Sequence, residues 1–258
     1  MRHHLEIISS DTWQRLKDSG RYGIKQGEET LTDNLLLYLM RNNLKNVYIR
    51  QTSKHKESIQ GTDWEWWVGN SKIGWLRYAV QAKKLDYKTG RYASLKHHVG
   101  LRSNQQFQHD ILKMYSLKNN AIPLYVFYNY IDKSNYSPYW QCQQPINIPM
   151  LGCTITPLKN IINALGTHGA RSFDEMHKLK ETIPLSCLVD CPTIGKIYQG
   201  NNNTAQQRFG VEAVVYKDSQ LKSLYSCENK TPLFPSELYD HDFQHYPKRT
   251  LIIEVDLD

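Results

Sequence analysis

The chain has 258 residues, 40% hydrophobic and 22% charged, with a formal net charge of +7. That length and apolar share suit a globular protein with a sizeable core, and they exclude a disordered chain. No apolar run approaches the ~20 residues of a membrane span, and the N-terminal MRHHLEIISSDTWQRL lacks the long apolar segment and small-residue cleavage site of a secretory signal.

In chain order, Asp11–Asp18 reads as a short helix, with Ser10 or Asp11 as N-cap and Gly20 near its end. Gly27–Asn42 is the clearest helix. Glu28 and Glu29 lie in its first turn, and Leu31, Leu35, Leu36, Leu39 and Met40 share one broad face. Asn46–Gln51 is β-rich and predicts a strand. Lys54–Gly61 is polar and predicts a loop. Thr62–Val68 alternates as a strand, with Gly69-Asn70 as a turn. Gly74–Lys84 is the strongest strand signal. Asp86–Arg102 reads as a basic loop, Asn104–Leu117 as a second helix, and Pro123–Asn129 as a buried apolar strand.

Beyond Tyr136, Pro138, Pro145, Pro149 and Pro157 interrupt the pattern. Helices are expected at Pro157–Leu165, closed by Gly166, and at Ser172–Glu181, where Ser172 and Glu175 form a capping box. Leu185–Leu188 is a short apolar run and Asn201–Asn203 a loop tip. Val211–Tyr216 and Thr250–Val255 are strand candidates. The alternation of helices and strands indicates an α/β domain with a mixed central sheet. It is expected to span residues 1–135. Residues 136–258 form a C-terminal α+β region of unassigned role, either separate or packed on the core as one domain.

The five cysteines are odd in number, and no C-x-x-C pair occurs. A disulfide framework and a structural zinc are therefore not expected, and a reducing compartment, the cytoplasm, is. From Lys72 to Arg102 there are eight Lys/Arg against one acid, Asp86. A basic field of that density favours a polyanion such as nucleic acid. Tyr78, Tyr87 and Tyr92 lie in the same window and could stack on bases.

That window encloses the residues richest in chemistry. In Thr62–Trp67, alternation places Asp63, Glu65 and Trp67 on one face. In the next strand Gln81 and Lys83 share a face. If the two strands pair, Asp63 meets Gln81 and Lys83 at one rim. Asp63 is then a direct Mg²⁺ ligand, Gln81 a neutral amide-oxygen ligand, and Lys83 the group that holds the attacking water or balances transition-state charge. A further carboxylate is expected from Glu28 or Glu29, between which the sequence does not choose. Glu65 is a candidate to compensate for the missing charge at Gln81. Gln105, Gln108 and His109 of the second helix could touch phosphate or water. Each of these residues also has a structural reading: Asp63 as a turn residue, the lysines as sheet-edge guards, the glutamates as helix-dipole partners, His97-His98 as loop surface.

The series Glu28/Glu29, Asp63 and Gln81-Ala82-Lys83 resembles the PD-(D/E)XK nuclease superfamily, and is most similar to its Mrr-like Q-x-K variants. The segments GEETLTDNLLLYL, GTDWEWW, WLRYAVQAKKLDY and PLYVFYN, with GCTITP, SFDEMHKL and PLSCLV further on, are also similar to a bacterial family of restriction-endonuclease-like proteins. The resemblance implies a restriction-endonuclease-like α/β core with helices flanking the sheet. It implies Mg²⁺-dependent hydrolysis of DNA, with Mn²⁺ able to substitute, a role in anti-phage defence, and a homodimer. DNA is the expected partner ahead of RNA, and no membrane is. Lys84, Lys88, Arg91, Lys96, Arg102 and Gln108 would then contact nucleic acid. Gln81 stands where the family usually has Asp or Glu. The second reading is therefore a catalytically degenerate nucleic-acid-binding module on the same fold.

Overall fold

A computed structural model of the chain describes residues 1–51, 62–99, 105–132, 147–167, 170–224 and 249–255. The expected Lys54–Gly61 loop lies outside them, as do Arg102, Pro138 and Pro145. In order, the elements are α1 (Arg2–Tyr22), α2 (Glu28–Arg41), β1 (Val47–Gln51), β2 (Trp64–Asn70), β3 (Gly74–Lys84), β4 (His98–Val99), β5 (Gln106–Phe107), α3 (Gln108–Lys118) and β6 (Ile122–Tyr128). There follow β7 (Cys153–Pro157), α4 (Leu158–Gly166), α5 (Phe173–His177), β8 (Ile183–Pro184), α6 (Pro192–Tyr198), α7 (Asn202–Phe209), β9 (Val215–Tyr216), α8 (Asp218–Leu224) and β10 (Arg249–Glu254).

The architecture is α/β, with a mixed eight-stranded sheet in the order β1-β10-β2-β3-β6-β7-β8 and β9 added on β3. The pairs β10–β2 and β3–β6 are parallel, while β1–β10, β2–β3 and β6–β7 are antiparallel. Strands from beyond residue 136 join the sheet that the first half begins. The last of them, β10, lies between β1 and β2. Helices cover both faces. Leu5 and Ile8 of α1, Leu31, Leu35 and Leu39 of α2, and Ile194 and Phe209 of α6 and α7 pack on Trp66, Tyr78, Val80 and Val126. On the other face Leu112 of α3, Leu158 and Ile161 of α4, and Phe173 pack on Ala79, Tyr125 and Phe127. Strands covered on both sides read as continuous apolar runs, and all seven residues of β6 are buried.

Several boundaries differ from the sequence reading. α1 begins at Arg2, well before Asp11, because Leu5 and Ile8 extend its buried stripe, and it ends on left-handed Gly23. Met40 of α2 is exposed, not part of the buried face. Gly69 and Asn70 belong to β2. The turn is residues 71–73, where Asn70 Oδ1 accepts the amides of Lys72 and Ile73 at 2.9 and 3.0 Å. A Cβ at Gly69 would lie 2.0 Å from the Gly74 carbonyl oxygen, so the close approach needs glycine.

The segment expected to start the second helix instead pairs as β5 against β4. The Ser172 cap is present, accepting Glu175 N–H at 3.2 Å, but α5 stops at His177. Asn201 is a helix N-cap, accepting Thr204 N–H at 3.0 Å, so the Asn run opens α7 and is not a loop tip. Gly166 is the last residue of α4, not its cap, and of the expected Val211–Tyr216 strand only β9 forms. Among the described residues no helix is long and apolar enough to cross a membrane.

One buried histidine ties the layers together and sets a pH response. His177 is fully buried, bonds Thr154 Oγ1 at 3.0 Å and the Phe173 carbonyl at 2.9 Å, and stacks on Phe173. Burial lowers its pKa from 6.5 to about 4. The unfolded chain therefore binds the extra proton first, and the stability contributed by neutral His177 is lost as pH falls through the window from about 6.5 to about 4. The loss should approach ~3 kcal/mol at the bottom of that window. Urea midpoints measured across it should fall more steeply for wild type than for His177→Asn. Parallel profiles would contradict the assignment.

Candidate active site

The sheet is built so that β2 and β3 part company at Asp63. Their register runs from Asn70↔Gly74 to Trp64↔Val80. Asp63 N–H still donates to the Val80 carbonyl at 3.1 Å. Beyond that point, residues 81–84 of β3 pair with β6 alone among the described residues. The side chains of Asp63, Gln81 and Lys83 therefore meet where the sheet splits.

Asp63 is partly buried and accepts at Oδ2 from the Gln81 side-chain amide and from Ala82 N–H at 2.8 Å. Burial raises its pKa, partly offset by Lys83, the Ala82 amide and Gln81, with Glu28 adding to the rise. Lys83 is 3% exposed. Its ammonium lies 3.6 Å from Glu28 Oε2. Glu28 Oε1 accepts Lys84 N–H at 2.9 Å and Ser94 Oγ–H at 3.1 Å. Of the two helix glutamates, Glu28 is thus the one the structure brings to Lys83, whereas Glu29 is exposed. Gly61 of the GTDWEWW segment lies outside the described residues.

Glu65 sits elsewhere on the same face. It is fully buried and accepts from Trp67 Nε1 at 2.7 Å, Tyr115 OH at 2.8 Å and Arg77 at 2.8 Å. Both of its oxygens are occupied, so the expectation that it compensates for Gln81 as a metal ligand is corrected. Glu65 is the counter-ion of the buried Arg77.

The basic window is also thinner than it reads. Arg77 and Lys83 are internal, and Lys84 Nζ donates to the Gln26 carbonyl at 2.6 Å, tying down the chain before α2. Lys72, Lys88 and Lys96 are exposed and Arg91 is partly exposed. Tyr78 and Tyr92 are core residues with no exposure and offer no face to a base, which leaves Tyr87. Gln108 and His109 lie at the start of α3, partly buried, while Gln105 is exposed.

The chemistry of the donor set bears on a metal ion. Gln81 is 1% exposed, and its Oε1 has no hydrogen-bond partner among the described residues. The same holds for the hydroxyl of Tyr125, the cross-strand neighbour of Gln81, and for Gln108 Oε1, His109 Nδ1 and Gln26 Oε1. Burial first, then Asp63, Asp110 and Glu28, raise the Tyr125 pKa, so that hydroxyl stays protonated beside the site. A buried, unpaired amide oxygen next to a carboxylate is costly unless a cation or water completes it. Asp63 and Gln81 Oε1 therefore fit Mg²⁺, which takes few protein oxygens and keeps its waters. Among the described residues no group of three or more His, Cys, Asp or Glu could hold a metal. Any ion here would lean on the amide. Sequence reasoning missed Tyr125 and Ser94, the first because it lies inside an apolar run and the second because it lies in an expected loop.

Fold and site together define an α/β protein with a carboxylate, amide and lysine gathered at a split in its central sheet. The chain belongs to a family described as "Family of unknown function (DUF6615)", which matches residues 1–249. No curated protein and no solved structure matches the chain.

Proposed function

We propose that the protein is a Mg²⁺-dependent endonuclease that hydrolyses DNA phosphodiester bonds. The observation that carries this reading is the buried Gln81 Oε1 beside Asp63, which has no hydrogen-bond partner among the described residues, with Lys83 buried on the same strand and paired to Glu28. When bound, a divalent cation would supply positive charge against the phosphoryl oxygens of the scissile diester. Asp63 and Gln81 would hold it. The Lys83 ammonium would position the attacking water or balance charge in the transition state. Glu28 restrains Lys83, and Ser94 with the Lys84 amide restrains Glu28. The exposed Lys88 and Lys96, with the partly exposed Arg91, supply the cations for the phosphate backbone. Incubating supercoiled plasmid with the purified protein and Mg²⁺, Mn²⁺ or EDTA tests the reading: nicking that needs the metal supports it, and cleavage that persists in EDTA contradicts it.

The neutral Gln81 and the shortage of acidic ligands among the described residues favour a second reading, a DNA-binding module without catalysis. On that reading Asp63→Ala and Lys83→Ala bind DNA as wild type does, and magnesium changes nothing.

A further inference from the structure

Beside the site, three rings form a column. His98 of β4 and Phe107 of β5 face each other across the hairpin, with centroids 4.1 Å apart and planes inclined 36°. Phe107 meets His109 at 5.0 Å and 30°. The inner ring, His109, is mostly buried, its side chain 14% exposed. The outer members are open: His98 is exposed, and Phe107 is 38% exposed. An aromatic ring left in water on a two-residue hairpin strand contributes little to the core, so burial does not explain the column.

Its position is fixed relative to Lys83. Gln108 N–H donates to the His97 carbonyl at 3.1 Å, which locks the start of α3 to the hairpin. Four residues before His98, Ser94 bonds the Glu28 that pairs with Lys83. The exposed Lys96 and His97 immediately precede the column, so a phosphate backbone crossing this edge would find a cation beside a π-face. Cation and ring in alternation are the ordinary means of holding single-stranded nucleic acid, because every base has a π-face.

We infer that the His98–Phe107–His109 column is a stacking platform for an unpaired base, so that the substrate is DNA with single-stranded or opened character, an assignment that rests on the reading of the chain as a protein acting on DNA. A fully paired duplex keeps its bases inside the stack and would use only the cations.

The test is fluorescence anisotropy in EDTA, where nothing is cleaved, with labelled oligothymidylate and a duplex of the same length. His98→Ala and Phe107→Ala should each weaken oligothymidylate binding by about 5-fold or more and leave duplex affinity within about 2-fold of wild type. His98→Tyr, which restores a ring but no cation, should recover the affinity. His98 is exposed, so its variants should keep the wild-type melting temperature even if Phe107→Ala does not. Unchanged oligothymidylate binding in His98→Ala, equal losses for both DNAs, failure of His98→Tyr to recover, or no binding of oligothymidylate by wild type would each overturn the platform. Plasmid cleavage reports separately on the nuclease reading. A protein that shows the stacking signature but cuts nothing keeps the platform and loses the enzyme, and a nuclease whose variants bind normally does the reverse.

Discussion

Replacing Asp63 with asparagine is expected to reduce metal-dependent cleavage by roughly 10³-fold or more, while leaving the metal-free fold at least as stable as wild type. Asparagine keeps an oxygen to accept the Ala82 amide and removes a negative charge that burial disfavours. The sign of the pH dependence follows. The folded-state pKa of Asp63 is raised, so the folded protein holds that proton more tightly than the unfolded chain. Wild-type stability should therefore fall relative to Asp63→Asn as pH rises from the ordinary carboxylate range through the raised value. Urea denaturation in EDTA checks this. Added Mg²⁺ should raise the wild-type melting temperature and leave the variant unmoved. A variant markedly less stable than wild type in EDTA would mean that Asp63 serves the fold and not a cation.

The largest effect on stability is expected from the pair beneath α3. Glu65 is fully buried, and the Arg77 side chain is 9% exposed. Arg77 also donates to the Asn119 carbonyl at 3.2 Å and lies over the Trp67 ring. Removing one partner strands the other as a buried charge, so Glu65→Ala should cost about 3–5 kcal/mol. The double variant Glu65→Leu/Arg77→Met, apolar and of similar volume, should cost less than the single one. Denaturant midpoints of the two variants decide it. A Glu65→Ala protein of near wild-type stability would contradict the role assigned here and reopen Glu65 as a ligand.

The site was legible in outline because its residues are close in sequence and obey simple periodicities. Asp63 and the pair Gln81 and Lys83 sit on adjacent strands whose alternation places them on one face, and antiparallel pairing closes the distance. The choice between Glu28 and Glu29 was not legible, since it depends on how α2 rotates over the end of β3. Glu65 looked like a ligand because it shares the face of Asp63. Its partner Tyr115 comes from α3, fifty residues on, and no local pattern announces it. In the fold, α2, β1, β3 and β6 carried strong local signals. The insertion of β10 between β1 and β2 did not, because a parallel pairing across some 185 residues leaves no mark on either segment. Its anchor, Arg249 bonded to Asp33 of α2, joins two charges that look like ordinary surface residues when read apart.

Whether Lys83 serves cleavage is decided by comparing wild type and Lys83→Ala on supercoiled plasmid in Mg²⁺, with Mn²⁺ and EDTA alongside. Lys83 is held by Glu28 at the split in the sheet, where its charge also offsets part of the cost of burying Asp63. Wild type should nick or linearise the plasmid in either metal and not in EDTA, and Lys83→Ala should lose roughly 10³-fold in cleavage with its melting temperature little changed. Equal cleavage by the variant, or no cleavage by wild type in any metal while DNA binding persists, would contradict the nuclease reading.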